Sequence, residues 1–140
     1  MERRRFIRQG LHACAALAAI PALASLEGCA SAKGLTATVA DGAVRIPAAE
    51  LADKRFVTVN AKGHPDPLLV VKEADGSFRA VVLNCPHKGG PVSEKGGELV
   101  CGWHDSRFTL DGKVTEGPSK QDLRTYPVEQ EGDQLRIALG

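Results

Sequence analysis

The sequence has little of several features on which common functional classes depend. Only 4 of its 140 residues are cysteine, aromatic residues make up 4% of it, and there is 1 tryptophan. Four cysteines are too few for a small scaffold held together by disulfides. The 18 lysines and arginines are balanced by 17 aspartates and glutamates, which leaves a formal net charge of +1. This balance gives the chain no overall basic footprint, so we expect no nucleic-acid partner.

Glycine and proline, by contrast, are frequent, with 15 and 8 residues respectively. Both residues interrupt helices and favour turns, so their abundance indicates short strands joined by turns. The length allows one domain and little more. The chain contains no internal repeat and no low-complexity segment.

The N-terminal 28 residues have the layout of an export signal. Four of the first eight residues are arginine, and residues 9–26 carry no charged side chain and are rich in alanine. This run is short for a membrane span and contains Pro21, so its affinity for a membrane would be weak. The alternative is a soluble amphipathic helix, but the apolar side chains do not segregate to one helical face.

The segment Arg3-Arg4-Arg5-Phe6-Ile7-Arg8 resembles a twin-arginine signal. Glu2 stands where that signal usually has serine or threonine. The twin-arginine route exports folded proteins, often with a cofactor already inserted. The resemblance therefore implies a periplasmic or other extracytoplasmic location for a protein that acquires its cofactor in the cytoplasm.

A second resemblance, to a lipoprotein cleavage box, lies in Leu26-Glu27-Gly28-Cys29. It makes Cys29 a candidate for lipidation, which would anchor the protein to a membrane. The alternatives are cleavage at a small-residue site, after Ala24 or Ala32, and an uncleaved signal that serves as the anchor. The expected organisation is a signal or anchor, a linker and one domain, in residues 1–28, 29–34 and 35–140.

Two pairs of cysteine and histidine follow the middle of the chain. They are Cys85-Pro86-His87 and Cys101-Gly102-Trp103-His104, separated by thirteen residues. Two thiolates and two imidazoles at this spacing are typical of a metal site. Each pair is also followed by turn-forming residues, so the combined pattern is far more specific than either pair alone.

This pattern resembles the Rieske [2Fe–2S] motif, in which two cysteines hold one iron and two histidines hold the other. The resemblance implies that Cys85 and Cys101 bind one iron as thiolates and that His87 and His104 bind the other as neutral imidazoles. It extends from about Leu35 to Gly140 through several further segments, among them Lys88-Gly89-Gly90-Pro91, Asp105-Ser106-Arg107-Phe108, Asp111-Gly112-Lys113-Val114, Gly117-Pro118 and Tyr126-Pro127-Val128.

Two other interpretations of the four side chains remain open from the sequence. A structural zinc site also uses two cysteines and two histidines, although such sites usually begin with two closely spaced cysteines. A disulfide between Cys85 and Cys101 is chemically compatible with export, but it would leave both histidines unexplained.

The resemblance also implies which residues surround the cluster. Ser106 occupies the place of a serine that donates a hydrogen bond to a cluster sulfur in high-potential members, whereas Phe108 replaces a tyrosine that donates another. We therefore expect a potential between those of the ferredoxin-type and the quinol-oxidising members. The alternative role for Ser106 is to cap a loop through its hydroxyl.

The quinol-oxidising members carry a further disulfide in these loops, and Gly90 and Trp103 occupy the places of its cysteines. In this respect the chain is more similar to the soluble ferredoxin-type members. We expect Trp103 and Phe108 to lie in the core or to shield the cluster, and Pro118 to belong to a third loop that covers it. His64 is expected to be a loop residue rather than a ligand.

Short alternating or β-branched runs predict an all-β domain of antiparallel strands, a sandwich or barrel with a small cluster-binding loop subdomain. Asp75-Gly76, Asp111-Gly112 and Gly132-Asp133 predict hairpin turns. The segment Ala48–Ala52 predicts a single helical turn. The predicted strands are Phe56–Asn60, Leu68–Lys72, Phe78–Asn84, Glu98–Cys101, Arg107–Leu110, Thr125–Gln130 and Gln134–Leu139.

The leading functional interpretation is a one-electron carrier that exchanges electrons with redox proteins on the extracytoplasmic side of a membrane. The sequence shows no paired acid and base and no nucleophile with an adjacent base, so it predicts no catalytic residues. The second interpretation is the Rieske subunit of a larger oxidoreductase, such as a quinol–cytochrome complex or a molybdenum enzyme. The third is a binding module stabilised by zinc.

Overall fold

The computed structural model describes residues 34–140. The predicted signal or anchor, Cys29 and the linker before Gly34 lie outside the described residues. In the described part, eleven strands and one short 3-10 turn (Ala48–Leu51) follow one another. The strands are β1 (Leu35–Ala40), β2 (Ala43–Pro47), β3 (Phe56–Lys62), β4 (Leu68–Lys72), β5 (Phe78–Val82), β6 (Val92–Lys95), β7 (Glu98–Cys101), β8 (Arg107–Phe108), β9 (Val114–Glu116), β10 (Thr125–Glu131) and β11 (Gln134–Ala138).

Seven of the strands close into a barrel in the spatial order β1, β2, β11, β10, β5, β4, β3. All neighbours in the barrel are antiparallel except β1 and β3, which run parallel and pair Leu35 with Val59. The other four strands form an antiparallel sheet in the order β6, β7, β8, β9. The predicted all-β architecture, a barrel with a second small unit, is therefore confirmed.

The strands β4 and β5 are buried on both faces. Side chains alternate between the two faces of a strand, and in β4 Leu68 and Val70 lie in the core of the barrel. The intervening Leu69 and Val71 belong to a second core, formed with side chains of the small sheet and of the segments that flank it. Two-sided burial explains why β4 reads as an unbroken apolar run rather than as an alternating pattern.

Strands β4 and β7 begin and end at the predicted residues. The other five predicted strands are present but differ from the prediction at their ends. The strand predicted to reach Asn84 ends at Val82, because the chain leaves the barrel there. The Leu83 N–H donates to the carbonyl of Pro67 instead. The strand predicted for Arg107–Leu110 ends at Phe108, where the pairing with β9 changes register. Four strands were not predicted: β1, β2, β6 and β9.

The three predicted hairpin turns join antiparallel neighbours, as expected. Asp75-Gly76 connects β4 with β5, Asp111-Gly112 connects β8 with β9, and Gly132-Asp133 connects β10 with β11. The glycine of each turn has a positive φ, which side chains with a Cβ adopt only at a cost. The predicted helical turn is also present and buries Leu51.

Replacing Gly112 with alanine is expected to destabilise the protein more than replacing Gly76. The φ angles are 92° and 86°, so both variants carry a backbone cost of roughly 1–2 kcal/mol. Only at Gly112 would the new methyl also crowd its surroundings, at 3.3 Å from Cγ1 of Val81 and 3.4 Å from Cβ of Leu123. Urea denaturation should give the lower free energy of unfolding for Gly112→Ala, and equal values would contradict this packing.

Candidate metal centre

The four predicted ligands lie on two loops at the open end of the β6–β7 hairpin. We call residues 85–90 the first ligand loop and residues 101–105, which start at the last residue of β7, the second ligand loop. At the base of the two loops, the Gly102 N–H donates to the carbonyl of Pro91 at 2.8 Å. Asn84 and Pro91 also form an isolated β-bridge. The hairpin therefore places both loops side by side.

The two ligand loops share one backbone pattern. The N–H of Cys85 donates to the carbonyl of Gly90, and its own carbonyl accepts from the N–H of Gly89. Cys101 makes the same two bonds with residues five and four positions later, Ser106 and Asp105. The fourth residue after each cysteine has a positive φ, 73° at Gly89 and 58° at Asp105. Aspartate adopts this conformation more readily than most residues, which explains its place in the second loop.

The two cysteines lie at the bottom of the loops as members of the second core. Each is only 1% exposed, and both thiols are free, so the alternative of a disulfide between them is not borne out. Burial raises the pKa of the Cys85 thiol, and the neighbouring Cys101 sulfur adds to this effect. The His87 N–H and the Ser106 hydroxyl act as donors toward the Cys85 thiol and lower its pKa, against this rise. Buried thiolates of this kind require a cation to balance their charge.

The two histidines are exposed, in contrast to the two cysteines. The ring centroids of His87 and His104 are 5.0 Å apart, and the rings meet edge to face at 84°. In residues 34–140, no three His, Cys, Asp or Glu side chains surround a single point closely enough to hold one metal ion. The side chains form instead two pairs, buried thiols and exposed imidazoles, and this arrangement fits a two-iron cluster with different ligands on each iron.

Ser106 is fixed beneath the loops by a third segment of chain. The residue is fully buried, and its Oγ accepts a hydrogen bond of 2.9 Å from the N–H of Ser119. This bond leaves the hydroxyl hydrogen free to point at the Cys85 sulfur, the direction that stabilises negative charge there. The segment predicted to form a third loop thus contacts Ser106 through Ser119, whereas Pro118 is exposed, and a covering role for Pro118 stays a prediction.

The two aromatic residues predicted to lie near the cluster differ in their surroundings. Phe108 is fully buried in the second core, together with Cys85 and Cys101. Trp103 is 59% exposed, so of the two predicted roles, core residue or shield over the cluster, its exposure excludes the first and leaves the second as a prediction. It is the large apolar side chain that residues 34–140 leave most open to solvent. The Trp103 indole lies against Gly90. Gly90 and Trp103 occupy the places where the quinol-oxidising members have the two cysteines of a disulfide, so these two positions are in contact here as well.

One polar cluster near the site was not predicted from the sequence. His64 lies in a loop as expected, but it bonds to the Tyr126 hydroxyl at 3.3 Å and to the carbonyl of Asp66. The Asp66 carboxylate accepts a 2.7 Å hydrogen bond from the side-chain amide of Asn84, the residue before Cys85. Tyr126 lies 62 residues from His64, and Asn84 lies 18 residues from Asp66, so no local pattern indicates these two contacts.

Comparison with known proteins agrees with this geometry. The family model described as the Rieske [2Fe–2S] domain matches residues 43–127, which is more than half of the chain. The chain belongs to the Rieske [2Fe–2S] family. Its cofactor is accordingly a single Rieske-type [2Fe–2S] cluster, and this replaces the zinc site left open by the sequence.

Individual Rieske proteins resemble the chain to similar degrees. It is 30% identical over 76 residues to the cytochrome b6-f complex iron-sulfur subunit of Chlorobaculum tepidum. It is 32% identical over 77 residues to the ferredoxin component of the p-cumate 2,3-dioxygenase system of Pseudomonas putida. These matches cover 53% and 51% of the chain, but only 42% and 65% of the two relatives.

A solved Rieske structure matches the chain over a larger share of its own length than these two relatives do. The cyanobacterial plasma membrane Rieske protein PetC3 from Synechocystis PCC 6803 superposes with a TM-score of 0.56 at 33% identity. The superposition covers 65% of the chain and 93% of that protein. A subunit of a cytochrome complex, a ferredoxin component of a dioxygenase system and a plasma membrane protein are therefore among the similar Rieske proteins.

Two neighbouring leucines of β4 provide a test of how the second core supports the Rieske centre. Leu68 and Leu69 are both fully buried, but Leu68 faces the barrel core and Leu69 the second core. Each alanine variant is expected to lose about 2–5 kcal/mol of unfolding free energy. Only Leu69→Ala leaves a cavity in the core that contains both cysteines, so only this variant should lose its cluster faster.

The measurement is the decay of visible cluster absorption in the presence of a chelator, at a temperature where both variants remain folded. Leu68→Ala is the matched control, because it removes the same side chain from the same strand. Equal decay rates for the two variants would contradict the assignment of the cysteines to the second core.

Proposed function

We propose that this protein transfers single electrons between redox proteins on the extracytoplasmic side of a membrane. Cys85, His87, Cys101 and His104 hold its Rieske [2Fe–2S] cluster. The observation that carries this proposal is the layering of the four side chains, with two buried thiols below two exposed imidazoles. When bound, the cluster accepts and releases one electron without breaking a substrate bond.

The two kinds of ligand have different roles: the cysteines hold the cluster in the core, and the histidines bring it to the surface. The burial of Cys85 and Cys101 keeps water from their sulfurs. The His87 N–H and the Ser106 hydroxyl act as donors toward Cys85 and favour negative charge on its sulfur. The exposed imidazoles face solvent, where a redox partner can approach one iron through a short path.

The proposed location rests on the N-terminal sequence and one relative. The arginine-rich signal and the candidate lipidation residue Cys29 support export and anchoring. PetC3, one of the similar structures, is described as a plasma membrane protein. In residues 34–140, no helix has the length and apolar character needed to cross a membrane.

A second candidate function is that of an electron-transfer subunit in a larger oxidoreductase. It is favoured by the match to an iron-sulfur subunit of a cytochrome b6-f complex. Isolation from the native membrane separates the two functions. A free carrier purifies alone, whereas a subunit purifies with a large partner and is reduced by quinol in that complex.

The decisive experiment on the proposed ligands is low-temperature electron paramagnetic resonance of the dithionite-reduced protein. The intact protein should give the rhombic signal of a Rieske cluster, and Cys85→Ser, Cys101→Ser, His87→Ala and His104→Ala should each abolish it. His64→Gln is the control, because His64 bonds to Tyr126 and not to the loops, and it should retain the signal. A signal that survived replacement of any of the four ligands would overturn the proposal.

Removal of the Ser106 hydroxyl is expected to lower the midpoint potential. Its hydrogen bond stabilises the more negative reduced state, and a net bond of about 1 kcal/mol corresponds to roughly 40 mV for one electron. Voltammetry of Ser106→Ala should therefore show a fall of this order. Ser119→Ala is the matched control, because it keeps the backbone N–H that orients Ser106. A potential unchanged in Ser106→Ala would assign the hydroxyl to loop capping alone.

A further inference from the structure

Gly90 is buried although both of its neighbours in the chain, Gly89 and Pro91, are exposed. It does not have a positive φ, so its backbone would accept any residue. What excludes a side chain is space. A Cβ at this position would lie 3.1 Å from Cγ and Cδ2 of Trp103 and 2.8 Å from Sγ of Cys101. The indole therefore lies across the Gly90 backbone and next to the position of the Cys101 sulfur.

The backbone joins the two ligand loops only at their base. There the Gly102 N–H donates to the carbonyl of Pro91. Further out, among the described residues, no backbone hydrogen bond links residues 85–90 with residues 102–105. The hydrogen bonds of Cys85 and Cys101 close each loop on itself and leave the gap between the loops open. The contact of Trp103 with Gly90 bridges this gap.

We propose that Trp103 is a positioning residue that clamps the two ligand loops together and keeps water from the cluster sulfurs. The proposal rests on the proposed function, because it takes Cys85 and Cys101 as cluster ligands. It explains why a large apolar side chain is kept at 59% exposure on the second ligand loop, and why the facing position is glycine. The clamp acts without a covalent bond, so it can be removed by a single substitution.

The clamp can be tested first without the cluster, because Trp103 is the single tryptophan of the chain and its fluorescence reports on it alone. In cluster-free protein, Gly90→Ala should push the indole away from the loop and shift its emission to the red. Gly102→Ala is the matched control, because the new Cβ would meet its nearest neighbours, in Pro91, at an ordinary 3.6 and 3.7 Å. A shift of equal size in both variants, or in neither, would overturn the contact.

The second arm measures how long the cluster is retained in the full chain. Trp103→Ala should lose its visible absorption in air and chelator about tenfold faster than the unmodified protein, and Trp103→Phe should restore most of the lifetime. The midpoint potential of Trp103→Ala should rise, because water at the sulfurs stabilises the more negative reduced state. Lys88→Ala, which removes an exposed side chain from the first ligand loop, should leave the lifetime unchanged.

The outcomes separate the clamp from the proposed function. An unmodified protein without a Rieske signal would overturn the proposed function itself. If the unmodified protein binds the cluster but Trp103→Ala retains it equally long, or if phenylalanine restores nothing, only the clamp is wrong. The unfolding midpoint of cluster-free Trp103→Ala should stay close to that of the unmodified protein, and a large fall would assign Trp103 a merely structural role.

Discussion

The packing of β4 and β5 between two cores is the interaction on which the rest of the structure depends. Leu68 and Val70 fill the barrel, and Leu69 and Val71 on the opposite face build the second core. Because Cys85 belongs to that second core, the barrel supplies a rigid wall against which the thiols are buried. The small sheet could not bury them alone, since four short strands enclose too little apolar surface.

From this wall the two ligand loops rise with the same backbone pattern, and their difference lies in the side chains. The first loop places its histidine two residues after the cysteine and the second places it three residues after. Both imidazoles nevertheless reach the tip, where their rings are 5.0 Å apart. Buried sulfur below and exposed nitrogen above give the site one protected side and one side accessible to a partner. That asymmetry is what an electron carrier needs, because the cofactor must be shielded from water and still lie close to the surface.

Sequence reasoning found the ligand pairs because metal chemistry leaves a short, local pattern, Cys-x-His and Cys-x-x-His. It also found the strands with a strong apolar run, such as β4 and β7. It missed β1 and β6, whose apolar signal is weak: β1 has no buried side chain, and in β6 only Val92 is buried. For Trp103 the sequence left two roles open, the core or a shield over the cluster, because local sequence does not show the contact with Gly90 that holds the indole at the surface. The bond from the Ser119 N–H to Ser106 has no side-chain signal, since any residue except proline could donate it.

The central claim is that the two irons have different ligands. The thiolates of Cys85 and Cys101 bind one iron, and the imidazoles of His87 and His104 bind the other. Mössbauer spectroscopy of protein loaded with iron-57 tests it directly, because each iron reports its own ligands. The account predicts two quadrupole doublets of equal area in the oxidised protein, and reduction that is confined to the iron bound by His87 and His104. A single iron environment, or an electron placed on the iron bound by the cysteines, would contradict it.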